Sequence, residues 1–122
     1  MPALADITAI TIDCAGPARL AEFYRKATGW EIAYGDEEFV CLDNGGPLRI
    51  AFQYIAGYRA PNWPDARKHA HLDLTVASPD LESAAEELIA CGASKPEFQP
   101  GEGTWIVLTD PEGHPFCLVA AD

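Results

Sequence analysis

His71-Leu72-Asp73-Leu74-Thr75-Val76 decides the reading of this chain, because Ile7-Thr8-Ala9-Ile10-Thr11-Ile12-Asp13 has already presented the same kind of segment about sixty residues earlier. Both alternate with the period of two that marks a half-buried strand. In the later copy Leu72, Leu74 and Val76 face a core, while His71, Asp73 and Thr75 share the opposite face. In the earlier copy Ile10 and Ile12 oppose Ala9, Thr11 and Asp13.

The stretches after the two segments are alike as well. Gly16-Pro17 opens a helix, since proline suits a first helical turn; Leu20, Phe23, Tyr24 and Ala27 supply its apolar stripe, and Gly29 ends it. In the second half Ser78-Pro79-Asp80 introduces a helix with Leu81, Ala84, Ala85, Leu88 and Ile89 inward, Glu82, Glu86 and Glu87 outward, and Gly92 beyond its end. Strands are then predicted over 30–34, 38–42 and 48–55 in the first half, and over 95–98, 104–108 and 115–120 in the second. Asp43-Asn44-Gly45-Gly46-Pro47 and Asp110-Pro111-Glu112-Gly113 supply turns. The expectation is one α+β domain over 1–122, built from tandem βαβββ units 1–56 and 69–122 joined by the aperiodic connector 57–68, with a ligand site where the copies face each other.

The formal net charge is −11, which disfavours nucleic acid and anionic membranes as partners and suits a cationic ligand. Residues 69–122 carry ten of the 19 acidic side chains and a single lysine, so the second copy is the acidic half, which reads as a solvated, solubility-promoting surface ahead of an acidic cleft. No basic segment precedes an apolar run, and no apolar run approaches the roughly 18 residues that span a bilayer, so a soluble, cytoplasmic protein is expected. Cys14, Cys41, Cys91 and Cys117 are scattered without metal or redox spacing and read as reduced, small core residues.

Leu20-Ala21-Glu22-Phe23-Tyr24 with Gly29-Trp30, then His71-Leu72-Asp73-Leu74, then Asp110-Pro111-Glu112-Gly113-His114-Pro115-Phe116 resemble, in order and spacing, the vicinal oxygen chelate superfamily of glyoxalase I, bleomycin-resistance proteins and extradiol dioxygenases. The short glyoxalase-like domain proteins are the nearer likeness, and it covers nearly the whole chain. The resemblance implies an open, cup-like mixed sheet with helices packed outside, and a homodimer. In metal-dependent members four positions, on the first and last strand of each unit, hold a divalent ion. Carried over by matching segments, these fall on Ala9, Gln53, His71 and Cys117. Alanine cannot ligate and cysteine is softer than the carboxylate it replaces, so no cofactor is expected; a metal, if any, would sit on His71, Gln53 and Cys117.

His71 reads either as a hydrogen-bonded cup residue or as a general base with Asp73 on its face; imidazole titrates near neutrality. Side chains two apart on a strand start roughly 6–7 Å apart, so the two meet only by leaning together. Cys117 reads as a small buried residue, and His114 as a turn residue. Phe39 with Cys41 and Trp105 with Val107 occupy matching places and either line the cup with aromatic surface or fill it as core; Tyr54, Tyr58 and Trp63 either cover the cup or meet a second subunit. Two functions are therefore expected to compete. One is metal-free binding of a small aromatic or hydrophobic, cation-compatible molecule through Phe39, Gln53, Tyr54, Trp63, His71, Trp105 and Cys117. The other is a lyase, isomerase or dioxygenase using a divalent metal, or acid–base chemistry at His71 and Asp73.

Overall fold

A computed structural model describes residues 4–61, 70–77 and 80–120, and the chain divides into two compact units, Met1–Arg59 and Ala60–Asp122. The fold is α+β; among the described residues each unit has one open sheet and one helix.

The first unit runs β1 (Ala9–Cys14), α1 (Pro17–Thr28), β2 (Glu31–Gly35), β3 (Phe39–Asp43) and β4 (Arg49–Tyr54), with strand order β1-β4-β3-β2. β1 and β4 are parallel and the other pairs antiparallel. α1 begins at Pro17, and Gly29 closes it at φ 77°, where its N–H reaches the Arg25 carbonyl at 2.8 Å; a side chain would strain that conformation. The helix lays Leu20, Phe23 and Tyr24 on Val40, Leu42, Ile50 and Phe52, all buried. Tyr24 stacks on Phe52 with ring centres 5.4 Å apart. α1 lies mainly over β3 and β4, so Ile10 on edge strand β1 stays more open than its alternation predicts.

The second unit runs β5 (Leu72–Val76), α2 (Leu81–Ala90), β6 (Trp105–Thr109) and β7 (Pro115–Ala120), in the order β5-β7-β6. Asp80 caps α2 by accepting the Ser83 N–H at 3.1 Å, and Leu81 and Ala85 are buried, whereas Ile89 is exposed rather than part of the inward stripe. Cys91, at the C-cap, is exposed too, unlike buried Cys14 and Cys41; none of the four cysteines forms a disulfide.

The strand predicted over 95–98 does not form. Pro96 and Pro100 lack the N–H that a ladder needs, and contact with β6 is reduced to one bridge between Ser94 and Thr109. The side chain of Gln99 does the missing strand's work: its Oε1 accepts the Val107 N–H and its Nε2 donates to the Val107 carbonyl, each at 2.9 Å, with a further bond to the Pro96 carbonyl. A primary amide thus imitates a peptide group along the edge of β6. Gln99→Ala leaves both Val107 groups without that partner, and we expect it to lower the unfolding free energy by about 1–2 kcal/mol in urea denaturation.

Candidate functional site

One face of the three-stranded sheet carries the site. Strand register lines Asp73, Cys117 and Val107 across β5, β7 and β6, and puts Trp105 beside Val119. His71, one residue before β5, continues that face next to Pro115. With Pro100 from the segment before β6, these side chains bound an open pocket of about 400 Å³. Its walls are apolar except at one corner, where His71, Asp73 and Cys117 meet.

At that corner His71 and Asp73 do lean together: Nε2 lies 3.2 Å from Oδ1, with the two side chains 44% and 61% exposed. One donor atom from each of His71, Asp73 and Cys117 lies within 4.8 Å of the other two. A second histidine–carboxylate pair shows the contrast. His114 Nδ1 stands 2.8 Å from Asp110 Oδ2, but that carboxylate is fully buried and also accepts the N–H groups of Glu112 and His114. The buried pair builds the β6–β7 turn, as expected of His114, while the exposed pair faces a pocket.

Nothing in the residue pattern singles out Gly101. A Cβ there would stand 2.5 Å from the Trp105 carbonyl oxygen and 2.6 Å from its indole, so the ring can lie against bare backbone. Gly101→Ala must displace both the Trp105 carbonyl at the start of β6 and the indole; we expect altered Trp105 fluorescence and near-UV circular dichroism together with a lower melting temperature.

The other candidates belong to the first unit or lie outside the described residues. Phe39 and exposed Gln53 are cross-strand partners in the first unit, and Phe39 stacks on Tyr34 with centres 6.0 Å apart. A hydrogen bond with the Cys41 thiol holds the Tyr34 phenol above its usual pKa. Tyr54 is adjacent to Gln53 on β4, and alternation turns it to the opposite face, away from Phe39. Trp63 lies outside the described residues.

A model of the glyoxalase-like domain matches residues 9–119. The chain belongs to that family. No curated protein matches it in sequence. Among solved structures, the glyoxalase-like domain is similar to a glyoxalase/bleomycin resistance protein/dioxygenase family enzyme from Burkholderia phytofirmans, at 19% identity and a TM-score of 0.73, covering 95% of this chain and 98% of that one. A glyoxalase-related enzyme from Fulvimarina pelagi is 19% identical, with a TM-score of 0.70 and coverage of 97% and 89%. The fosfomycin resistance protein FosX from Listeria monocytogenes, solved with Mn(II) and 1S,2S-dihydroxypropylphosphonic acid, is 17% identical, with a TM-score of 0.69 and coverage of 98% and 95%. These likenesses establish the fold.

Register also corrects one carried-over position. Cys41 pairs with Ala51, and Ala51 with Thr11; Val107 pairs with Cys117, and Cys117 with Asp73. With Phe39 matched to Trp105 and Cys41 to Val107, the counterpart of Cys117 is Ala51, and Gln53 matches Val119. Ala9 remains the counterpart of His71. Both first-unit positions of the family's metal set are therefore alanines, and the second unit offers an imidazole and a thiol with the Asp73 carboxylate beside them. With one oxygen ligand among three, that donor set does not fit a hard, oxygen-loving divalent ion and is closer to the N, S and O ligands that zinc accepts.

Proposed function

We propose that the glyoxalase-like domain binds a small, flat, largely apolar organic molecule in the pocket on its three-stranded sheet, and does so without a metal. The observation that carries this reading is the lining: Trp105, Val119 and Pro100 offer stacking and dispersion surface over buried Val107 and Pro115, while the polar groups gather at one corner, the usual make-up of a small-molecule site. The Asp73 carboxylate and the net charge of −11 favour a ligand bearing positive charge next to its aromatic part. Similarity to structures described as glyoxalase/bleomycin resistance proteins supports binding as an activity of this fold.

The test is a titration with propiophenone, a neutral aromatic ketone, and with benzylamine, its cationic counterpart, followed by thermal shift and Trp fluorescence. Saturable binding that survives EDTA is expected. Absence of binding by either compound, or its loss on chelation, overturns the reading.

A further inference from the structure

We infer that Cys117, His71 and Asp73 form a nucleophile, base and positioning carboxylate, and that the pocket captures aromatic molecules with a conjugated electrophilic carbon, the aryl vinyl ketones, as covalent thioethers. The inference rests on the pocket being the ligand site and adds chemistry to it. A thiol next to a histidine that is itself held by a carboxylate is the arrangement that activates cysteine in unrelated enzymes, and its distances commonly tighten only once substrate is bound. Here the three groups converge within 4.8 Å of one another. Asp73 lies 3.2 Å from Nε2 of His71, a contact through which a carboxylate orients an imidazole and steadies its protonated form. Cys117 is half-buried and lines the pocket, so a ligand stacked along Trp105 meets its sulfur, unlike those of the buried Cys14 and Cys41.

The step balances without a co-reactant. The Cys117 proton passes to the imidazole of His71, and the thiolate adds to the β-carbon of the enone. The S–C bond forms as the C=C π pair moves toward the carbonyl, giving an enolate. The imidazolium then returns its proton to the α-carbon, so that S–H has been added across C=C. Asp73 steadies the imidazolium while it exists, and a soft thiolate prefers a soft, conjugated carbon.

The experiment treats the intact protein with limiting phenyl vinyl ketone and follows each cysteine by peptide mass spectrometry, with exposed Cys91 as the internal reference. Modification of Cys117 is expected to run at least about tenfold faster than that of Cys91, given what general base catalysis commonly contributes. His71→Ala should remove that advantage and leave Cys91 unchanged, and added imidazole should restore it; Asp73→Asn should reduce it in part. Both sites are exposed, so the variants should keep the wild-type melting temperature, and the imidazole rescue reports proton transfer rather than folding. Equal rates at Cys117 and Cys91, or a Cys117 rate untouched by His71→Ala, overturn the inference. Propiophenone separates the two levels: its reversible binding without adduct formation from phenyl vinyl ketone rejects the thiol chemistry alone, whereas failure of propiophenone and benzylamine to bind rejects the pocket as well.

Discussion

Replacing Asp110 with alanine is expected to lower the unfolding free energy by about 3 kcal/mol, a large share of the 5–15 kcal/mol that holds a domain together. The carboxylate is fully buried and gathers three donors: the Glu112 N–H at 2.8 Å, the His114 N–H at 3.1 Å and the His114 ring nitrogen at 2.8 Å. Alanine strands all three in a turn that also closes through the Asp110 N–H to the His114 carbonyl. That turn returns β6 to β7, and the pairing it sets carries Trp105 and Cys117. Asp110→Asn keeps the volume and one acceptor oxygen, so about half the loss is expected. Urea unfolding curves check both; a cost below about 1 kcal/mol for the alanine variant would show that water or neighbouring groups replace the carboxylate.

The same turn shows what a sequence can disclose. Asp110-Pro111-Glu112-Gly113 announces a reversal through residue chemistry acting over four positions, and the structure puts it between β6 and β7. The repeated opening strands and helices were legible for the same reason, since both periods are local. The strand missing over 95–98 was not. A short apolar-polar stretch fits the strand pattern, and only the two prolines and the tertiary position of Gln99 decide against it. Matching Gln53 to Cys117 failed for a different reason: a register slip of two residues leaves every side chain on its expected face, so alternation cannot detect it. The hydrogen-bond register can, and it replaces Gln53 with Ala51. The contact of His71 with Asp73 depends on side-chain torsions, which no spacing encodes, and Gly101 matters because the carbonyl and the indole of Trp105 both lie against it.

Trp105→Ala is expected to raise the dissociation constant of an aromatic pocket ligand about 30-fold, near 2 kcal/mol, while unfolding stays cooperative. The indole is only half-buried, and Gly101 gives it a backbone floor, so removing it strips the pocket of its main stacking surface without opening a sealed cavity. The stability cost should accordingly stay near 1–2 kcal/mol, well below that of emptying a core site. Its neighbours divide the labour. Ile106 and Leu108 point to the opposite face of β6 and are buried with Phe116 and Leu118, so the core persists when Trp105 is lost. Fluorescence titration and urea unfolding on the same variant decide between two roles for one side chain. Intact affinity with a cost of 3–5 kcal/mol would make Trp105 a core residue and move the ligand elsewhere, because a ring that fills the interior cannot also be the surface on which a ligand stacks.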